Sequence, residues 1–508
     1  MPGVNVTTAV RSGPVGAGDI VAGQVFMVGE AERGPTAEPT LLRSFGDYTT
    51  YYGNYKSTNL YAHVKTYFDE GGTRCHVQRV VGSGAAAGSV SLASNSGASA
   101  GMTITASSVG AWASNLTVAV LAADSAGYRL QFVLDSATLL TTRDLATVAD
   151  GINFVNASGI KHLLVASTTL TAAQADNASN NLDIAVAAAV SGSASDGSAV
   201  SNTEVVAALA IDDTGKLSPN LNTGAVCAPG RTGAAIWAAL AAHAGAFNRI
   251  ALCSFGAADS AATAKTDAAT YYADANASHM AFYWPYVKVA APAVTELATG
   301  ESTIQGATIT ISPEAYTAAA RSRAVQNAGG PWRVGAGAIS AGRTLKGLAS
   351  DVTPATGDAL DAARVNAIRK VGDSIRVYGA RSVSSDEANW RYISMRDTMN
   401  YIVLGVEDRM EQHVFSVIDG RGNTFGVIRA SIKAFLDPIR VAGGLYEAYD
   451  DSGNPVDAGY SVRVDSTINP ATQLATGLIK AQVGIRVSGV ADLIDITITK
   501  SNLSAPLI

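Results

Sequence analysis

The chain has 508 residues, 47% hydrophobic and 7% aromatic, so at roughly 150 residues per domain it can build about three packed cores, and disorder throughout is excluded. Charge is scarce: Asp, Glu, Lys and Arg make up 15% and the net charge is −6, against roughly 25% charged residues in an average soluble protein. No global basic field exists to hold nucleic acid or an anionic membrane, and the surface must be covered by Ser, Thr, Asn, Gly and Ala or by other protein.

The start, MPGVNVTTAV, lacks the basic and apolar regions of a secretory signal. No apolar run approaches the ~20 residues of a membrane-spanning helix. Cys75, Cys227 and Cys253 are too far apart in sequence for a disulfide framework or a C-x-x-C pair and read as buried small hydrophobes. Assembly in a reducing cytoplasm is expected.

Residues 1–20 alternate at Val4, Val6 and Thr8 and then become rich in Gly and Pro, which reads as a short strand on a flexible tether. The apolar run 20–29 predicts a buried strand. A turn at Gly34-Pro35 and Pro39 leads to a helix near 60–70, capped by Gly71-Gly72, and then to a strand over 75–81. Residues 83–210 change character. Ala, Ser, Gly, Thr and Val dominate, with strand-like runs at 116–121, 129–134 and around 163–165. Three basic side chains (Arg129, Arg143, Lys161) face eight acidic ones here, and three minus eight puts −5 of the chain's −6 in this segment. It is expected to be a β-rich domain inserted into an α/β core.

After the insert, strands at 225–228, 249–254 and 279–289 alternate with helices at about 232–246 and 257–275, the rhythm of a parallel sheet with helices on its faces. The last 130 residues predict an α+β unit. Ser384 and Glu387 have capping-box spacing, and Trp390, Ile393, Met399, Ile402, Val406 and Met410 recur every three or four residues as one long amphipathic helix. Phe425, Ile428, Ile432 and Phe435 mark a second helix, expected to stop at Asp437-Pro438. Strands at 445–449 and 461–465 flank a DSGNP turn. Residues 479–487 alternate, and Ile494, Ile496 and Ile498 do so again against Asp495, Thr497 and Thr499.

Catalytic patterns do not emerge. Gly215-Lys216 lacks the rest of a P-loop, the Gly-rich stretches do not fit G-x-G-x-x-G, and neither G-x-S-x-G nor H-E-x-x-H occurs. Cys75 and His76 are adjacent on a predicted strand, so they point to opposite faces and cannot pair as nucleophile and base. Asp450, Asp451, Asn454 and Asp457 miss the spacing of a calcium loop and read as turn chemistry. Arg429 and Lys433 lie four apart on one helix face, either solvated or a partner surface. Neither a cofactor nor a metal is expected, and a binding or structural role remains.

Several segments, in order along the chain, resemble contractile tail sheath proteins. They are PGVNV, VFMVGEAERGPTAEPTLLRSFGDYTTYYG, YFDEGGTRCHVQRVV, FYWPYVKV, ITISPEAYTAAARSRAVQNAGGPWRVGAG and RVYGARSVSSDEANWRYISMRDTMNYI. The insert carries no residue-level match. Three departures stand out: Asn5 replaces an aromatic, Val334-Gly335 stands where Pro-Ala is common, and Asp397 interrupts an Arg-Arg pair after Arg396.

The resemblance implies an α/β multidomain protein with an N-terminal arm (1–20), a core (21–82 with 211–378), an outward β-rich insert (83–210), a tube-facing α+β polymerisation domain (379–490) and a C-terminal arm (491–508). It implies a non-enzymatic phage-tail subunit that forms stacked six-fold rings with itself. These rings would surround an inner tail tube between baseplate and tail terminator and shorten to drive the tube through a host envelope for genome ejection. The expected location is the virion, with no direct nucleic-acid contact and no membrane insertion. The strand at Gly3, Val4, Val6 and Thr8 and the one at Ile494, Ile496 and Ile498 would add to sheets of neighbouring subunits, and Arg429 and Lys433 would face the tube. A tailocin or injection-system sheath is the alternative; an α/β hydrolase with a β accessory domain is more distant and would need a nucleophile–base pair in one cleft.

Overall fold

A computed structural model describes residues 20–95 and 101–492. In chain order, β1 (Val25–Gly29) and β2 (Thr40–Leu42) lead through α1 (Phe45–Tyr52) and α2 (Tyr61–Asp69) to β3 (Cys75–Arg79). Helix α2 ends as expected, with Gly71 at φ 91° and the Gly72 N–H donating to the Tyr67 carbonyl. Next come β4 (Ser89–Leu92), β5 (Met102–Ala106), β6 (Leu116–Ala122), β7 (Tyr128–Leu134), β8 (Ala137–Thr141), α3 (Val148–Ala157), β9 (Leu164–Ser167), α4 (Ala172–Ala175) and β10 (Ala185–Ala189). The segment predicted as β-rich thus contains the ten-residue helix α3, started by Thr147, whose side chain accepts from the Asp150 N–H.

The chain continues through α5 (Asn202–Ala208), β11 (Ala225–Cys227), α6 (Ala234–Ala246), β12 (Ile250–Ser254), α7 (Ala261–Ala269), β13 (Met280–Trp284), β14 (Val287–Ala290) and β15 (Thr308–Ile311). Helix α8 (Glu314–Ala328), β16 (Gly347–Leu348), α9 (Pro354–Ala362), β17 (Val365–Val371) and β18 (Ser374–Tyr378) follow. The apolar run predicted as one strand over 279–289 is two. Pro285, with no N–H to give a ladder, separates β13 of the large sheet from β14 of a small one.

The large sheet has the order β18-β17-β13-β12-β11-β1-β3-β2, parallel throughout except at its two edges, where β2 and β18 run antiparallel. Alternate residues of each strand serve opposite faces. Val25, Met27, Cys75, Ile250 and Leu252 pack on α1, α2 and α8. Phe26, Val28, Ala251, Cys253 and Phe282 pack on α5, α6, α7 and α9. Both faces are therefore covered, as a parallel sheet requires. A separate cluster around Trp112, Leu116, Phe132, Val155 and Leu164 joins the antiparallel sheet β10-β6-β7-β8 to β4-β5-β9.

The last elements are α10 (Glu387–Trp390), α11 (Ile393–Glu411), α12 (Asn423–Val441), β19 (Ala448–Tyr449), β20 (Pro455–Asp457), β21 (Tyr460–Arg463), α13 (Ala471–Leu474) and β22 (Gln482–Ile485). Five local expectations change. Asp386, not Ser384, caps α10, and Arg391-Tyr392 breaks the predicted single helix before α11 starts. Pro438 sits inside the last turn of α12 instead of ending it. Burial of Ile439 against Ile432, Phe435 and Leu436 offsets the missing N–H donor there. The strand expected at 445–449 is only Ala448–Tyr449, and that at 479–487 only Gln482–Ile485.

Candidate assembly surface

Helices α11 and α12 form a hairpin whose inner face is Ile402, Ile428, Ile432, Phe435, Leu436 and Ile439. At its crossing, Gly405 of α11 sits directly under the Phe435 ring, where any Cβ would overlap the ring carbons. The absent side chain lets the two backbones approach. Flanking this buried stripe, α12 carries Arg429 and Lys433, both exposed and without hydrogen-bond or ion-pair partners among the described residues. Arg440, at the end of the same helix, is engaged with Asp437 and Glu447. Arg429 and Lys433 thus lie one turn apart on a free surface, as their spacing predicts.

The hairpin is fastened to the large sheet by buried polar contacts along α11. Asp397 accepts from Arg321 of α8 through both carboxylate oxygens, each at 2.7 Å. Arg396 donates through Nε to His279 Nε2 at 2.7 Å, and His279 Nδ1–H donates to the Arg249 carbonyl at 2.9 Å. Asn400 reaches the same carbonyl at 3.2 Å. Arg249 is itself fully buried, stacks over Phe26 and donates to His243 Nε2 at 2.7 Å, while His243 Nδ1–H donates to the Leu209 carbonyl. Each imidazole accepts a hydrogen bond from a guanidinium N–H on one nitrogen and donates with the other, so both are neutral. Burial, with the neighbouring arginine adding to it, lowers His243 and His279 to about 3. Only the interrupted Arg-Arg pair at Asp397 hinted at this network in the sequence; its partners lie 76 and 117 residues away.

Beyond the hairpin the chain presents open edges. Among the described residues β21 and β22 pair with each other, β19 pairs with β20, and an isolated bridge joins Leu445 to Val487 beyond β22. Phe415 and Val417, in the loop between α11 and α12, are 84% and 83% exposed, and Val441, Tyr446 and Val456 are exposed nearby in sequence. The two strands expected to add to neighbouring sheets, with Gly3, Val4, Val6 and Thr8 and with Ile494, Ile496 and Ile498, lie outside the described residues.

Groups with chemical potential are occupied structurally. Cys75 faces one core and His76 the other, stacked on Phe26 and held by Gln24. All three cysteines are buried. Ser312 Oγ lies 3.1 Å from His63 Nε2, a nucleophile–base distance, but Ser312 is 1% exposed and burial lowers His63 to about 4. This pair ties α2 to the start of α8. The Asp450 carboxylate accepts the Ser452 and Asn454 N–H groups, ordinary turn bonding. Among the described residues, no group of His, Cys, Asp and Glu has the arrangement of a metal site, and no helix is long and apolar enough to cross a membrane.

No family model matches the chain, and no curated protein matches it in sequence. Solved structures do. The helical sheath of the anti-feeding prophage in its contracted state aligns over 98% of this chain and 99% of its own, with TM-score 0.54 and 15% identity. A sheath tail protein from Listeria innocua aligns over 89% and 90% with TM-score 0.58 and 12% identity, and one from Desulfitobacterium hafniense over 91% and 94% with TM-score 0.54 and 14% identity. This chain has the contractile-sheath fold. Two departures from the sheath sequence pattern have physical roles in it. Asp397 is the buried partner of Arg321. Gly335 lies against the backbone of the same Arg321, where a Cβ would come within 2.7 Å of the amide nitrogen. The third, Asn5, lies outside the described residues.

Proposed function

We propose that this chain is the repeating subunit of a contractile sheath, polymerising with itself around an inner tube and shortening to drive that tube through a cell envelope. The observation that carries the reading is fold likeness to sheath proteins over nearly the whole of both chains. Similarity to one domain would leave the rest free to do something else. Work in such a device comes from two packings of one subunit, not from a reaction. The buried network between α11 and the large sheet supports this, because it makes the hairpin and sheet move as one piece. Motion then falls to the arms, and the open edges of β21 and β22 are suited to receive strands from neighbouring copies.

In this reading residues 21–82 and 211–378 form the sheath core, 83–210 project outward, 379–490 face the tube, and 1–20 and 491–508 are the linking arms. The acidic insert carries like charge to the outside, where it discourages whole sheaths from sticking together. The remainder holds 33 basic side chains (36 minus 3) and 34 acidic ones (42 minus 8), suited to packing against copies of itself. A phage tail, with baseplate and terminator proteins at its ends and genome ejection as its purpose, is the leading setting. An injection apparatus like the anti-feeding prophage is the second, and genes for capsid and terminase beside this one distinguish them. Negative-stain microscopy of the purified full-length protein tests the class: striated tubes or rings are expected, and a monodisperse monomer with hydrolytic activity overturns it.

A further inference from the structure

A cavity of 620 Å³ opens between the end of α2 and the end of α8, walled by Gly71, Arg323, Arg343 and Gly342, with Gln326 and Asn327 exposed at its mouth. Next to the wall residue Gly71 lies Glu70, fully buried. That carboxylate accepts the Arg343 and Thr344 N–H groups and the Thr344 hydroxyl at 2.7–3.0 Å, so it is saturated by the loop it holds. Arg323 is left over. Its side chain is 7% exposed, its nearest approach to Glu70 is 3.7 Å, and its one hydrogen bond runs from Nη1 to the Ala341 carbonyl. Nε and Nη2 are buried without partners. The Arg343 guanidinium lies over Gly71, where a Cβ would come within 2.5 Å of Nη1, and it has no hydrogen-bond or ion-pair partner among the described residues.

Two guanidinium groups therefore share one wall with a single carboxylate that is already used. Burial lowers the Arg323 guanidinium from its ordinary value; Glu70 opposes this and Arg343 adds to it. Orphaned buried donors and adjacent like charges are each costly, and an oxyanion between them relieves both. We propose that this cavity is a receptor for a carboxylate side chain presented by a second copy of the chain. The assignment to a second copy rests on the sheath reading. The cavity is far larger than one ion and admits a chain segment. Exposed carboxylates without ion pairs, such as Asp183, Asp213 and Asp373, are available on every copy. In a chain this poor in charge, a buried arginine with free donors at Nε and Nη2 beside a second arginine that has no partner among the described residues is complementary to such a group.

Full-length wild type and Arg343→Glu would be compared by sedimentation and microscopy for assembled polymer, and titrated with inorganic phosphate and with a polyglutamate peptide. Arg343 is exposed and its side chain bonds to no other described residue, so the variant folds, and its melting temperature, expected to be no lower than wild type, separates a folding defect from an assembly defect. The expected result is a polymer yield lower by at least about tenfold, with polyglutamate binding wild type, suppressing its assembly and failing to bind the variant. Equal polymer yield from both proteins overturns the receptor. Phosphate binding that is lost in the variant while assembly is unchanged assigns the cavity to a free anion and overturns the second copy. If wild type forms no polymer, the sheath reading fails separately, and absence of polyglutamate binding then removes the receptor as well.

Discussion

Arg321 of α8 and Asp397 of α11 form a two-pronged ion pair with only 10% and 5% of their side chains exposed. Removing one partner from such a pair strands the other charge in the interior, at a cost of about 3–5 kcal/mol. Asp397→Asn is therefore expected to lower the unfolding free energy from urea titration by that amount. The double replacement Arg321→Met with Asp397→Leu removes both charges and should recover most of the loss. A single substitution costing under about 1 kcal/mol would show that the pair is not what fastens α11.

Acid should loosen the same seam. His243 and His279 are lowered to about 3 and His76 to about 4, in each case first by burial and then by a nearby arginine. A histidine in the unfolded chain binds its proton near pH 6.5, so the unfolded state takes up protons first as pH falls. Stability from these groups is complete above about 6.5 and declines down to pH 4 and below, with a slope of roughly 1.4 kcal/mol per pH unit for each histidine. Urea unfolding at pH 7.5, 6 and 5 should show a falling midpoint. A midpoint unchanged across that range would exclude neutral buried histidines.

The large sheet was readable because fully buried strands leave unbroken apolar runs and their helices leave a 3.6-residue period. Cys75 and His76 on opposite faces followed from strand alternation alone. Two of the misreadings share a cause. Pro438 remains helical because Ile439 packs on the hairpin core, and helix α3 forms within a segment whose Ala, Ser and Thr content favours no element strongly. Tertiary burial decided both. At the assembly surface, the free face of Arg429 and Lys433 was visible as an i, i+4 pair. The fastening network was not, because ion-pair partners far apart in sequence leave no local pattern.

The hairpin crossing depends on Gly405. Gly405→Val places two methyl groups where the Phe435 ring lies, and overpacking of this kind costs about 1–3 kcal/mol. Phe435→Leu in the same chain vacates part of that space and should restore some stability. If the single variant is as stable as wild type in urea, the helices separate more easily than their packing indicates.

Deleting residues 1–20 tests the arms. These residues precede β1, and the large sheet makes its described ladders without them. The truncated protein is expected to remain a folded monomer with a cooperative thermal transition and to form no long polymer in sedimentation or microscopy. Long sheaths from the truncated chain would remove the strand-exchange role of Gly3, Val4, Val6 and Thr8. A parallel deletion from residue 493 onward asks the same of Ile494, Ile496 and Ile498.

Charge reversal on α12 tests the tube-facing assignment. Arg429 and Lys433 are exposed beside the stripe of Ile428 and Ile432, and neither bonds to another described residue, so Arg429→Glu with Lys433→Glu should leave the melting temperature unchanged. A grip that must release as the sheath slides is best made by exposed charges, which attract over a Debye length of about 8 Å in physiological salt and hold weakly at contact. The double reversal is therefore expected to reduce co-assembly with tube protein most at low ionic strength, with the difference from wild type shrinking as salt rises. Sheath formed without tube should be unaffected. Equal tube-bound yields at every salt concentration would make this helix face solvated, and the tube contact would then fall to the exposed loop of Phe415 and Val417.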